Sequence, residues 1–163
     1  MNARAQPGET DADPALQRAA PLELGALGHL LGFHLARAGV QTNAVYERAV
    51  GKRFGLKKVE FSLLMLLAAN PAVTPKRLAR ALAVTAPKTT LLLDALQQRG
   101  LIRRERSPLD GRSQHVVLSA KGEKLARESA AVAATMESEL VTRLSRAEHA
   151  MLVELLIKLG RAP

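Results

Sequence analysis

The chain has 163 residues, 47% of them hydrophobic, and a formal net charge of +9, which suits about one domain with a sizeable core and a basic surface. It contains no cysteine, which excludes disulfides, thiolate metal sites and cysteine-based redox sensing. No apolar run approaches the roughly 20 residues that span a bilayer, and Met1 to Pro14 lacks the apolar centre of a signal peptide. A soluble, cytoplasmic protein is expected. Phe33, Tyr46, Phe54 and Phe61 are the only aromatic residues, so the core is built from Leu, Ala and Val, a composition that favours helix.

Residues 1–20 are polar and aperiodic and read as a flexible tail. From Leu22 a stripe of Leu24, Leu27, Leu31, Leu35, Ala38, Thr42, Val45 and Ala49 predicts one long helix to about Val50, followed by a short linker marked by Gly51 and Gly55. Val59 to Ala69 is apolar on all sides and is expected at the centre of the fold, ending at Asn70-Pro71. Thr74 and Thr85 are predicted helix caps, each followed by a proline in the first turn, for helices reaching about Leu82 and Arg99. Leu101 to Leu118 predicts two short strands joined by a basic turn. Ser119 then caps a predicted helix from Lys121 to Leu144, and Ser145-Arg-Ala-Glu148 is a capping box opening a last helix to about Gly160.

Helix, turn, helix and basic hairpin is the layout of a winged-helix DNA-binding module, with one element for the major groove and one for the minor groove. The charge agrees. Between Thr74 and Lys121 ten Lys or Arg stand against three acids, Asp94, Glu105 and Asp110, a local excess of +7. Basic charge gathered on one module is the footprint of a phosphate-backbone binder, whereas a generally basic protein spreads it evenly. The flanking helices carry apolar stripes that the small module cannot cover. They predict a dimerisation domain built from both termini of two chains, the alternative being a monomer whose terminal helices pack on each other.

The residues also resemble a known family, the multiple-antibiotic-resistance regulator (MarR) type of winged helix-turn-helix repressor, over about Phe33 to Gly122. The most specific portion is Gly100-Leu-Ile-Arg-Arg-Glu-Arg-Ser-Pro-Leu-Asp-Gly-Arg112, with its Asp110-Gly111-Arg112 wing-turn element, followed by Val117-Leu-Ser-Ala-Lys-Gly122. Leu78 to Thr85 is similar to the positioning helix and turn, and Ala86-Pro-Lys-Thr-Thr90 to the start of the recognition helix. The chain departs from the family pattern at Gly111, where a second arginine is common, and at Leu91, where polar or basic residues are frequent and a leucine either touches a thymine methyl or is buried.

The implied fold is mainly α (α+β). A winged helix-turn-helix DNA-binding lobe spans residues 56–120, and helical dimerisation segments span 21–55 and 121–163. The implied function is a homodimeric, sequence-specific regulator, most often a repressor, released from a pseudo-palindromic operator by a small aromatic or amphipathic acid or its coenzyme A thioester.

Candidate DNA contacts follow from placement. Arg112 at the wing tip suits a narrow minor groove, and Asp110 either orients it or shapes the turn. Lys88, Thr89 and Thr90 open the recognition helix and are placed for phosphate or bases, or form a plain polar helix start. Thr74 and Thr85 combine capping with free N–H groups offered to phosphate. Arg103, Arg104 and Arg106 either meet phosphates or pair with Glu105 or another surface acid, and Lys76, Arg77 and Arg80 supply general field. For the effector, Arg37 is suited to a carboxylate and His34 or Tyr46 to a ring substituent; the alternative places Arg37 in solvent and the other two in the dimer seam.

Neither metal nor cofactor is expected. His29 and His34 are five residues apart, about 140° out of line on a helix, and lack the four-residue spacing of a helical zinc pair. No Ser-His-Asp arrangement, phosphate loop or carboxylate pair suggests an enzyme. A ligand-independent architectural DNA binder and a protein-interaction module remain as other classes. The first would bind any duplex with a steep salt slope, and the second would be indifferent to Arg112→Ala.

Overall fold

A computed structural model describes residues 22–106 and 114–160. The predicted tail and the wing turn, including Asp110 and Arg112, lie outside the described residues. The chain divides into two compact units, Met1–Ala36 and Arg37–Pro163.

In the first unit a 3₁₀ turn, Gly25–His29, is followed by Leu30 in extended conformation and by the start of helix α1, Leu31–Tyr46. The single helix expected from Leu22 is therefore interrupted. Gly25 sits at φ +50°, and three glycines between residues 25 and 32 lower helix propensity where the leucine stripe alone suggested continuity.

In the second unit α1 passes into a π-turn, Glu47–Gly51, and a short α2, Lys52–Phe54, which stops at Gly55 in the left-handed region. Gly51 is thus inside helical structure, not in a linker, and a Cβ there would lie 2.5 Å from the Glu47 carboxylate. Helix α3, Lys58–Ala69, is central as expected, burying Leu63, Leu64 and Leu67. Helices α4, Pro75–Ala81, and α5, Ala86–Gln98, form the helix-turn-helix. Strands β1, Ile102–Arg106, and β2, Gln114–Leu118, pair antiparallel with Ile102 opposite Leu118 and Arg106 opposite Gln114. Val73 bridges to Val116 through N–H to carbonyl bonds of 2.8 and 3.3 Å, tying the turn before α4 to the wing.

Helix α6, Ala120–Ala133, ends eleven residues short of the expected Leu144. The backbone then tightens into i→i−3 bonds, Met136 to Ala133 and Ser138 to Thr135, before α7, Ser138–Val141. This stretch is largely exposed, so no packed partner holds it to the α-helical period. Helix α8, Arg146–Leu159, opens with the predicted capping box: Ser145 N–H donates to Glu148 Oε2 at 2.7 Å and Glu148 N–H to Ser145 Oγ at 3.3 Å.

One apolar cluster holds α3, α4, α5, the wing and α6 together, drawing on Leu63, Leu78, Leu93, Leu96, Ile102, Val116 and Ala126. Recognition helix and wing thus share one core, so their mutual geometry is fixed by packing.

Candidate nucleic-acid interface

Helix α4 starts where Thr74, in extended conformation, accepts the Arg77 N–H at 3.4 Å, with Pro75 in the first turn. Leu78 is buried, while Lys76, Arg77 and Arg80 face solvent. The turn to α5 passes through Ala83 at φ +50°, and the Val84 N–H reaches the Ala79 carbonyl at 3.0 Å. Thr85 occupies the cap position of α5, but its side chain makes no capping bond, contrary to expectation. Pro87 in the first turn and the bond from Thr89 N–H to the Thr85 carbonyl at 3.0 Å hold the helix start instead.

Lys88 and Thr90 are exposed, as a groove-facing role requires. The Thr90 hydroxyl donates to the Ala86 carbonyl at 3.2 Å, leaving its oxygen lone pairs to accept. Thr89 is different. It is 2% exposed and its hydroxyl donates to the Thr85 carbonyl at 3.0 Å, so it packs beneath the helix and leaves the set of surface candidates. The burial follows from helical position, since Thr89 shares the side of Leu93 and Leu96.

The wing arginines separate. Arg104 reaches back to the recognition helix, its guanidinium donating to Asp94 Oδ1 at 2.6 Å. Arg103 pairs with Glu105 at 3.3 Å on the exposed strand surface. Both adopt the ion-pair alternative to phosphate contact, and Arg106 remains exposed at the end of β1. The Arg104–Asp94 bond was not visible in sequence, because ten residues and a change of secondary structure separate the partners.

A second polar junction anchors the end of α5. Arg99 donates to Glu60 Oε2 at 3.2 Å and to the Gly55 carbonyl at 3.0 Å, while Lys121 donates to the Arg99 carbonyl at 2.9 Å. Glu60 is buried and also accepts the Lys57 N–H at 2.8 Å, which satisfies a carboxylate that would otherwise be costly to bury.

The effector candidates fare unequally. In the first unit His34 is exposed, and its Nε2–H donates to the Gly28 carbonyl at 2.9 Å. In the second unit Arg37 is exposed. Tyr46 is buried, and its hydroxyl donates to the Leu56 carbonyl at 2.9 Å, so that hydroxyl is already engaged in the fold and does not await a ligand. A cleft of about 550 Å³ in the second unit lies elsewhere, between the end of α3, the wing strands and α6, with Leu67, Arg103, Val117 and Arg127 in its walls. Among the described residues no group of three or more His, Asp or Glu is placed to hold a metal ion, and no helix is long and apolar enough to cross a membrane.

A helix-turn-helix followed by a two-stranded hairpin on a common core defines the winged-helix class of DNA-binding protein. The MarR family model matches residues 54–113. A putative transcriptional regulatory protein for the hcr operon of Thauera aromatica is 31% identical over 149 residues, 91% of this chain and 89% of that protein. Among solved structures, the transcriptional repressor CouR bound to a 23-mer DNA duplex is 33% identical, with a TM-score of 0.78, over 87% of this chain and all of that one. CouR bound to p-coumaroyl-CoA is 31% identical, with a TM-score of 0.75, over 88% of this chain and all of that one. The chain belongs to the MarR family. It is a DNA-binding transcriptional regulator of MarR type.

Proposed function

We propose that the protein is a cytoplasmic homodimeric repressor that binds a pseudo-palindromic operator and leaves it when a small aromatic or acidic effector binds. The observation that carries this reading is the exposure of Lys88 and Thr90 on α5 together with that of Lys76, Arg77 and Arg80 on the preceding helix α4. Residues 56–120 act as the DNA-binding lobe, with Thr74, Thr85, Arg106 and the wing residues Asp110 and Arg112 as further contacts. Residues 21–55 and 121–163 supply dimerisation. Helix α8 supports that division: Met151, Leu152, Val153, Leu155, Leu156, Ile157 and Leu159 are all exposed in the single chain, and a second chain is the simplest cover.

Effector release is proposed from relatives that include CouR, whose bound ligand is p-coumaroyl-CoA. His34 and Arg37 remain the proposed contacts in this chain. An effector that favours a dimer with misplaced recognition helices lowers DNA affinity by the factor by which DNA lowers its own.

The test is fluorescence anisotropy on the upstream intergenic duplex of the gene against a scrambled duplex at physiological salt, with wild type and Arg112→Ala. A preference of at least about a hundredfold, weakened by the substitution, is expected. Equal and steeply salt-dependent binding to both duplexes overturns the reading in favour of an architectural protein. Titration of the complex with p-coumarate and p-coumaroyl-CoA tests release.

A further inference from the structure

The middle of the recognition helix carries a residue that neither folding nor phosphate binding explains. Leu91 is 70% exposed. At 100° per residue it lies about 140 to 200° around α5 from Thr89, Leu93 and Leu96, the three residues that bury the helix. It is therefore the centre of the outer face. Pro87 one turn earlier and Ala95 one turn later extend it into an apolar line, with Lys88 alongside. Asp94, the one acid of α5, is held by Arg104 at 2.6 Å, so its charge does not face a polyanion uncompensated. The Thr90 hydrogen is directed to its own helix, at the Ala86 carbonyl. At Leu91 the centre of the outer face thus presents carbon, where donors and acceptors are usual for base recognition.

In the major groove the base edges offer one apolar feature, the C5-methyl group of thymine. We propose that Leu91 is a specificity-determining residue that reads thymine 5-methyl groups, so that each half-site carries thymine beneath the middle of α5. This rests on the DNA-binding reading of α5 and deepens it by naming the base. Lys88 fixes the helix on the backbone, and Leu91 distinguishes a T·A pair from C·G by methyl contact and by the poor fit of a leucine against an unsatisfied cytosine amino group.

The experiment uses the full chain and a duplex enriched by it from a randomised library. Each thymine of the enriched site is replaced in turn by deoxyuridine, which removes only the methyl group, and affinities are measured for wild type and Leu91→Ala. One position per half-site is expected to weaken wild-type binding about fourfold, the loss corresponding to one buried methyl. In Leu91→Ala the same replacement should change nothing. At that position a C·G pair should bind more weakly, and 5-methylcytosine should restore part of the affinity for wild type alone. Leu91→Ala should melt as wild type does, since an exposed side chain is removed.

Specific binding with a flat deoxyuridine scan overturns the proposal and leaves the DNA-binding reading standing. A scan whose sensitive position persists in Leu91→Ala does the same, assigning the methyl contact to another residue. A library that yields no enriched site removes both together, so the two failures are distinguishable.

Discussion

Tyr46 is the single tyrosine of a chain without tryptophan, so its ionisation is directly visible in tyrosinate absorbance. The ring is 2% exposed and the O–H donates to the Leu56 carbonyl at 2.9 Å. Burial first, then the nearby carboxylates of Glu47 and Glu60, push its pKa from 10.0 up to about 12. The raised value means that the fold favours the protonated form. The corresponding stability is fully present below the unfolded value near 10 and is lost as pH rises through the folded value. Spectrophotometric titration should give a midpoint near 12 in the native protein and near 10 in denaturant. A native midpoint near 10 would show that the hydroxyl is not a buried donor. Tyr46→Phe should cost about 1 kcal/mol, because the Leu56 carbonyl loses its donor, and should flatten the difference in stability between neutral and strongly alkaline pH. Sequence alone offered this hydroxyl as an effector contact, since nothing in a single helix stripe shows that a carbonyl ten residues ahead returns to meet it.

Between single residues and the molecule stand the joints of the elements, among them the start of α6. Ser119 donates its N–H to the Leu101 carbonyl at 3.0 Å and its Oγ–H to the Gly100 carbonyl at 2.6 Å, while Gly122 N–H returns to Ser119 Oγ at 3.0 Å. A Cβ on Gly122 would lie 1.9 Å from the Leu101 carbonyl oxygen, a backbone atom pinned at the entry to β1. Alanine is normally the better helix former by about 1 kcal/mol. Here Gly122→Ala should instead destabilise by about 2 to 3 kcal/mol, through overpacking against backbone. Thermal or urea unfolding decides it, and a gain in stability would mean that α6 can move away from the wing at little cost. Caps and turns of this kind were legible because they depend on neighbours in sequence: Thr74 and Ser119 cap as expected. The apolar pattern overstates helix length on both sides of the DNA-binding lobe. A leucine or alanine stripe records which side of a segment is apolar, but not whether each backbone bond is α-helical, and so it ran through Gly25 and past Ala133.

For the whole molecule, the order of elements and the local charge made the DNA-binding class legible, because both are properties of the sequence as written. The Arg104–Asp94 pair and the Arg99–Glu60 junction instead depend on residues brought together by folding. The remaining question of scale is the dimer. Helix α8 buries none of its residues in the single chain, although half of them are large and apolar. A helix of this length is marginal in water by itself and gains its stability from packing. The core that holds the recognition helix and wing together contains no residue of α8, so charges placed there test association without dismantling the DNA-binding lobe. Leu152 and Leu156 share one side of α8 at a four-residue spacing, and the double substitution Leu152→Glu, Leu156→Glu puts two desolvated carboxylates into any interface they line. Light scattering should give wild type at twice the chain mass and the double variant at the chain mass, with the helical circular dichroism of the lobe retained. Two linked half-site contacts exceed one by at least about a hundredfold through effective concentration, so operator affinity should fall by that order while binding to a single half-site stays the same. A wild type that is monomeric at concentrations where it binds operator would remove the dimer. A variant that scatters as a dimer with unchanged affinity would move the interface away from α8.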